Sequence, residues 1–127
     1  MTRDGKLWTW HVLAGVVIFV FLGLHMLIMH LDDVIRIAWW NPAGGHPIDW
    51  ANVVARGKMI FFPITYTVLL GAALFHGLYG LKNILFELNL GTAFKRTVAL
   101  VLLLLGAGLF VYGTWAAFAA TALARSL

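Results

Sequence analysis

Three long apolar stretches alternate with short polar segments along this chain of 127 residues. None of the three contains Asp, Glu, Lys or Arg, and they cover residues 7–31, 59–81 and 97–124. Each is longer than the roughly 20 residues that an α-helix needs to cross a hydrocarbon core about 30 Å thick. The pattern therefore predicts an all-α membrane protein with three transmembrane helices. These helices, I to III, are expected over about residues 8–30, 59–86 and 97–124.

The longest connection, residues 31–58, lies between helices I and II. It contains a turn-forming cluster of Asn, Pro and Gly at residues 41–47. Asp49 follows and could cap a short surface helix that ends at Val54 or Arg56. Because a connection of this length without regular structure is uncommon, we expect it to lie on the membrane surface or beneath a partner.

Composition agrees with a membrane location and narrows the chemistry. Hydrophobic residues make up 62% and charged residues 11% of the chain, against about 45–50% and 25% in soluble domains. The chain has no cysteine, so disulfides, thiolate metal sites and iron–sulfur ligation by its own residues are excluded. The net charge of +4 sits at the ends of the apolar stretches, which suits lipid headgroups better than nucleic acid. By length we expect a single domain over residues 1–127.

The start of the chain has the positive charges of a secretory signal peptide, Arg3 and Lys6. The apolar stretch that follows exceeds the 7–15 residues of a signal-peptide core, and no small-x-small cleavage site follows it, so we expect a retained helix. With the N-terminus in the cytoplasm, five Lys and Arg residues lie on that side and four on the other. This small excess favours a multi-pass protein of the cytoplasmic (inner) membrane with a cytoplasmic N-terminus.

His76 lies inside helix II, where an ionisable side chain is costly and therefore a candidate functional residue. Ala72 and Gly80 are four residues before and after it, so the imidazole projects from a helix face with little neighbouring bulk. A flat, wide ligand such as a porphyrin requires that clearance. The structural alternative is a hydrogen bond to a neighbouring helix, which stabilises by only about 0.6–2 kcal/mol.

Helix I carries His11, Gly15 and His25 on one stripe, with His25 about 21 Å along the helix axis from His11. Since helices I and II are antiparallel, His25 and His76 lie at different depths. Two axial ligands of one haem must face each other across a single iron. The spacing therefore suggests two haems, each needing a second histidine from another chain, although the bulky Phe21 and Met29 beside His25 weaken its case.

The other polar groups each have two interpretations. His11, near the membrane surface, could bond a haem propionate or a quinone, or simply be exposed. Lys82 could pair with a propionate or a quinone headgroup, or extend its ammonium group to the surface. His30 and His46 are expected at the interface or in solvent. His30 and Asp32 are the corresponding quinone candidates on the outer side.

Helix III has no Asp, Glu, Lys, Arg or His, and this argues mildly against a transport path. It carries instead a strip of small residues that favours close helix packing. The strip consists of Gly106, Gly113, Ala117 and Ala120.

The sequence His76-Gly77-Leu78-Tyr79-Gly80-Leu81-Lys82, with Glu87 near the helix end, resembles the helix II signature of the membrane anchor subunits of succinate dehydrogenase and fumarate reductase. Residues 10–15, Trp-His-Val-Leu-Ala-Gly, followed by Leu24-His25-Met26, resemble the start of di-haem cytochrome b anchors. The resemblance covers about residues 8–31 and 60–88. It departs at Leu88, where some anchors have a quinone-contacting tyrosine.

The resemblance implies a non-catalytic membrane anchor of succinate:quinone oxidoreductase, respiratory complex II, that binds haem b and helps to form the quinone site. His76 would ligate the haem proximal to the iron–sulfur subunit and His25 the distal haem, and the quinone could be menaquinone. The implied partners are the iron–sulfur subunit and the flavoprotein. Single-chain di-haem anchors have five helices and four ligand histidines. Either a second small anchor subunit supplies the missing ligands, or one haem is shared between subunits.

Three other functions fit the same sequence features. A cytochrome b subunit of another redox complex, such as a formate dehydrogenase or a hydrogenase, would also use paired histidines. A haem-free anchor would keep the fold without the cofactor. A small transporter or assembly protein would use the histidines for protons or packing.

Overall fold

The computed structural model describes residues 3–30, 46, 48–89 and 91–127 of the chain. All regular structure in these residues is α-helical. Three of the helices are long and apolar enough to cross a membrane, so the predicted all-α membrane fold is confirmed. The helices are α1 (Arg3–His30), α2 (Trp50–Gly57), α3 (Phe61–Glu87) and α4 (Thr92–Ser126).

Helix α3 is the central element of the bundle. It packs against α1 on one side and against α4 on the other, and α1 and α4 do not meet anywhere in the part of the chain that the structure describes. The short helix α2 lies against α4 and the start of α3. The three long helices therefore form a row whose two broad faces are open.

All three long helices extend beyond the apolar stretches. Lys6 lies within α1, Lys82 lies within α3, and Lys95 and Arg96 lie in the first turns of α4. The helical hydrogen bonds of α4 begin with the Lys95 amide donating to the Gly91 carbonyl at 3.1 Å. A charged residue marks where a helix leaves the hydrocarbon core of the membrane. The backbone can stay helical through the headgroup layer, because long basic side chains reach polar surroundings there.

The predicted surface helix is present as α2, with Asp49 at its N-cap position. The prediction that Asp49 caps it was wrong in detail, since the carboxylate makes no capping hydrogen bond. The turn before α2 is closed by the backbone instead, with the Asp49 amide donating to the His46 carbonyl at 3.0 Å. His46 is exposed and has a left-handed φ of 54°. Most of the 41–47 cluster, and Asp32, lie outside the described residues.

Small residues mark the helix contacts, and the predicted packing strip on α4 is confirmed at two of its members. A Cβ added at Gly106 would lie 2.7 Å from Leu78 Cδ1, and one at Gly113 would lie 2.5 Å from Leu70 Cδ2. At the other end of the molecule, a Cβ at Gly57 of α2 would lie 2.8 Å from the Ala124 Cβ. At each of these three glycines, an added Cβ would force the neighbouring atom to shift.

Few residues are buried within this chain. Among the described residues, the buried ones are Phe62, Pro63, Thr121 and Ala124, where α3, α2 and α4 meet. Large apolar side chains elsewhere are open, for example Phe19 at 80% and Leu103 at 68% exposure. Apolar surface of this extent fits a protein whose surroundings are lipid and other transmembrane helices.

Candidate functional site

The contact between α1 and α3 brings two histidines together. His11 lies near the start of α1 and His76 towards the end of α3, and antiparallel packing puts them at the same depth. Their imidazole rings are stacked, with ring centroids 4.1 Å apart and an angle of 5° between the planes. The stacked rings of His11 and His76 form the core of the candidate site.

A glycine makes room for each of these rings on the opposite helix. A Cβ at Gly15 of α1 would lie 3.1 Å from His76 Cε1, and a Cβ at Gly80 of α3 would lie 3.2 Å from His11 Cε1. From the sequence, the open space beside Gly80 was expected to hold a flat ligand. In the structure, the ring of His11 fills this space. Any flat ligand of His76 has to approach from another direction.

The two nitrogens of His76 have different surroundings. Nδ1 lies 3.0 Å from the backbone carbonyl oxygen of His11. A carbonyl only accepts hydrogen bonds, so Nδ1 carries the proton and a neutral ring keeps its lone pair on Nε2. Nε2 has no hydrogen-bond partner among the described residues. Metal-ligating histidines are commonly oriented in this way, by a hydrogen bond from the nitrogen that does not bind the metal.

His11 is enclosed but only partly satisfied. Its Nδ1 is buried without a hydrogen-bond partner, a condition that typically costs about 1–3 kcal/mol. The ring also meets Tyr79, with centroids 5.3 Å apart and planes at 48°. Because the rings of His11 and His76 lie face to face, their nitrogens do not point at each other across a shared position. His11 is therefore not placed to be the second axial ligand of an iron bound by His76.

Lys82 lies beyond Tyr79 on the same helix. Its Nζ is 5.1 Å from the Tyr79 ring centroid and 5.3 Å from that of Phe86, both distances at which a cation is attracted to an aromatic face. Tyr79 thus touches both His11 and Lys82. Lys82 itself lines a groove between α3 and α4, so the structure does not group it with the stacked histidines at the α1 contact.

His25 lies towards the opposite end of the α1–α3 contact, beside the first turns of α3. It lines a cavity of about 90 Å³ together with Phe21, Met29 and Tyr66, among others. Ligand pockets typically have about 300–1,000 Å³, so this cavity is too small for a porphyrin. The ring of His30, which is exposed, is 6.1 Å from that of His25 at an angle of 68°.

The described residues include no group of three or more His, Cys, Asp or Glu side chains that could hold a metal ion. His76 is oriented as a single nitrogen ligand would be. The contacts of the His25 ring fix its orientation less firmly.

Sequence reasoning overlooked one member of the site and one contact within it. Tyr79 was not singled out, and His11 was considered without its contact to His76. A signal was present: each of the two histidines has a glycine four residues after it, at Gly15 and Gly80. On antiparallel helices, this shared spacing lets each ring occupy the space above the other helix's glycine.

The fold and the site define a class of protein: a small membrane protein with three apolar helices and a pair of histidines where two of these helices pack together. In sequence, the chain is similar to a succinate dehydrogenase hydrophobic membrane anchor subunit from Thermoplasma acidophilum. The two are 22% identical over 102 residues, which make up 80% of this chain and 74% of the relative. No protein-family model matches the chain, and no solved structure matches it.

Proposed function

We propose that this protein is a membrane anchor subunit of a succinate dehydrogenase or fumarate reductase, the enzymes of respiratory complex II. The observation that carries the proposal is the similarity to a named anchor subunit over 80% of the chain. The three apolar helices of spanning length also support the proposal, because a membrane anchor needs helices that cross the bilayer. The subunit itself does no succinate chemistry.

The proposed partners follow from this role. Flavoprotein and iron–sulfur subunits outside the membrane would carry out succinate chemistry, and this chain would attach them to the cytoplasmic membrane with its N-terminus in the cytoplasm. A second small anchor subunit would cover part of the open apolar surface, such as that at Phe19. Burying such surface against other helices is the usual arrangement of membrane subunits.

His76 is the residue we propose as the ligand of a haem b. Its fixed ring, its protonated Nδ1 and its free Nε2 support this role. Such a haem would supply one-electron transfer between the iron–sulfur subunit and a quinone. The second axial ligand would come from the partner anchor, because the histidine stacked on His76 is not placed to provide it.

His11 would act on His76 and only indirectly on any cofactor. Its ring packs on one face of the His76 imidazole, and its carbonyl accepts the Nδ1 hydrogen bond. Both contacts restrict rotation of His76 and keep Nε2 in one direction. The buried, unpaired Nδ1 of His11 leaves open a further bond to a propionate or a quinone oxygen in the complete enzyme.

A second haem at His25, as in a di-haem anchor, has less structural support. The adjoining cavity of about 90 Å³ excludes a porphyrin from the interior of this chain. A haem ligated by His25 would therefore lie between this chain and its partner. Among quinones, a low-potential type such as menaquinone would suit the di-haem arrangement.

The proposal is tested by purifying the membrane complex through a tag on this chain. We expect a flavoprotein and an iron–sulfur subunit to co-purify, with succinate dehydrogenase or fumarate reductase activity and a b-type absorption band after reduction by dithionite. Formate dehydrogenase or hydrogenase subunits in their place would contradict the proposal. An active complex without the absorption band would support the anchor role and contradict haem binding. Purification without any flavoprotein would favour a transporter or assembly protein.

A further inference from the structure

A groove of about 640 Å³ runs along the contact between α3 and α4. It is lined by these two helices only, and its volume falls within the range of about 300–1,000 Å³ that is typical of ligand pockets. The stacked histidines do not line it. The groove is therefore separate from the candidate site at the α1 contact, although Tyr79 touches both.

The length of the groove corresponds to one leaflet of a membrane. Its lining on α3 extends from Gly71 to Lys82, a distance of about 16 Å at 1.5 Å per residue. Half of a hydrocarbon core about 30 Å thick is close to that value. The far end narrows where α3 and α4 touch, since a Cβ at Gly71 would lie 3.2 Å from Phe110 Cε2.

The lining is apolar except at one end. Among its side chains, only the Tyr79 hydroxyl and the Lys82 ammonium group are polar. The remaining lining residues present hydrocarbon, aromatic rings or bare backbone. A molecule that fills the groove would therefore have an apolar chain along most of its length and a polar group beside Lys82.

The polar end of the groove is positively charged. Lys82 Nζ lies 5.3 Å and Lys95 Nζ 5.7 Å from the ring centroid of Phe86, so the two ammonium groups flank one side chain. Lys95 also donates a hydrogen bond of 2.7 Å to the Phe86 carbonyl. No carboxylate of the described residues forms an ion pair with either lysine. Both lysines border apolar stretches, and this places them at the depth of lipid headgroups.

We propose that this groove binds an anionic phospholipid, with one hydrocarbon chain between α3 and α4 and the phosphate beside Lys82 and Lys95. Neither ammonium group has a carboxylate partner among the described residues, and a phosphate would supply a negative charge beside them. Each basic group near a membrane surface strengthens binding of anionic lipid by about fivefold. A quinone headgroup is uncharged and would gain little from them. The proposal does not depend on haem binding or on the identity of the soluble subunits.

The test uses the intact membrane complex, extracted and reconstituted in nanodiscs that contain equal amounts of phosphatidylglycerol and phosphatidylcholine. Native mass spectrometry then counts the lipids that stay bound after release from the disc. We expect the wild type to retain phosphatidylglycerol preferentially. Lys82→Ala should lower that preference about fivefold, while Lys82→Arg should retain it. Lys6→Ala, an exposed basic residue on α1, is the matched control and should leave it unchanged.

A second pair of variants examines the apolar part of the groove. Ala107→Phe places a ring in the groove and should reduce bound lipid of both kinds. Ala122→Phe adds the same ring to an exposed position of α4 outside the groove and should have no effect. Equal retention of the two lipids by the wild type would overturn the proposal. The proposal would also be overturned if Ala107→Phe displaced a quinone and left the bound lipid unchanged. A cross-link from position 107 to a helix of another subunit would overturn it as well.

Discussion

The imidazole of His76 is fixed more firmly than that of any other histidine in the described part of the chain. The ring of His11 covers one face, Gly15 leaves space for the ring's edge, and the His11 carbonyl accepts the Nδ1 proton. His25 has an aromatic and aliphatic cavity beside it, and its ring contact is with the exposed His30. Orientation of a ligand ring by such surrounding contacts commonly changes metal affinity by 10–100-fold. The two histidines should therefore respond differently to mutation.

If this chain ligates a haem as proposed, replacing His76 by alanine should abolish binding of that haem, because the nitrogen oriented for the iron is lost. The measurement is the haem-to-flavin ratio of the purified complex, from the dithionite-reduced spectrum and the flavin content. His25→Ala is the matched control and should leave that haem in place. If His25→Ala removes it while His76→Ala does not, the assignment of the ligand to His76 is wrong.

Replacing His11 by phenylalanine should leave the thermal stability of the complex unchanged or raise it, by up to about 1–3 kcal/mol. Phenylalanine preserves a flat ring against His76 and removes the buried Nδ1 that has no partner. The readout is the unfolding temperature in detergent. His11→Ala, which removes the ring altogether, should be clearly less stable because it leaves a cavity beside His76.

A marked loss of stability in His11→Phe would mean that Nδ1 is hydrogen-bonded in the assembled complex. In that case, the partner would be a group from outside this chain, such as a propionate or a quinone oxygen. The haem spectrum of the same variant distinguishes these two: a propionate contact would shift it, and a quinone contact would alter quinone reduction instead.

At the scale of helices, close contacts depend on glycines that have no room for a side chain. The α1–α3 contact has one such glycine on each helix, and the α3–α4 contact has Gly71 on α3 and Gly106 and Gly113 on α4. Other glycines in the same helices, such as Gly77 and Gly108, have no atom within 4 Å of an added Cβ. The chain therefore provides its own controls for the effect of an added methyl group.

Gly80→Ala should destabilise the protein by about 1–3 kcal/mol, because its Cβ would press against the ring of His11, which stacking holds in place. Gly77→Ala, three residues away on the same helix, should stabilise slightly, since alanine favours a helix by up to about 1 kcal/mol over glycine. Thermal unfolding of the two variants in one detergent compares them. Equal effects at both positions would show that α1 does not pack on α3 at Gly80.

Gly57→Ala should weaken the contact of α2 with α4 by a similar ~1–3 kcal/mol. The added methyl would lie 2.8 Å from the Ala124 Cβ, which is attached to the backbone and cannot rotate away. Local hydrogen exchange of residues 50–57 measures this change directly and should increase. Gly108→Ala serves as the control and should leave exchange in α2 as it is in the wild type.

Much of the element scale could be predicted from the sequence, and the reason is physical. Uncharged stretches of more than about 20 residues have few alternatives to a membrane helix. The rotation of each helix about its axis was harder to predict, because lipid-facing and helix-facing positions are both apolar in a membrane protein. The pairing of His11 with His76 depends on that rotation, so the spacing of His11 and His76 from their glycines was the only signal. The hydrogen bonding of Asp49 depends on local backbone geometry and could not be predicted either.

At the scale of the whole molecule, the row α1–α3–α4 leaves two broad apolar faces and buries few residues. A chain of this kind does not enclose a cofactor by itself. If the proposed function is correct, the chain produced without its partner subunits should bind little or no haem and should unfold at a lower temperature than in the complex. Co-production with a second anchor subunit should restore both. Stoichiometric haem in the isolated chain would contradict the shared-ligand arrangement.

Because α1 and α4 touch α3 but not each other in the described part of the chain, the two sides of α3 are energetically separable. Changes at sites more than about 7–10 Å apart with no shared partners usually add to within about 0.3–0.5 kcal/mol. A double variant that combines Gly80→Ala at the α1 contact with Gly113→Ala, beside Leu70, at the α4 contact should therefore lose the sum of the two single-variant losses of stability. If the proposed haem and lipid sites are correct, residues beside His76 could therefore be varied without a compensating change in the groove between α3 and α4.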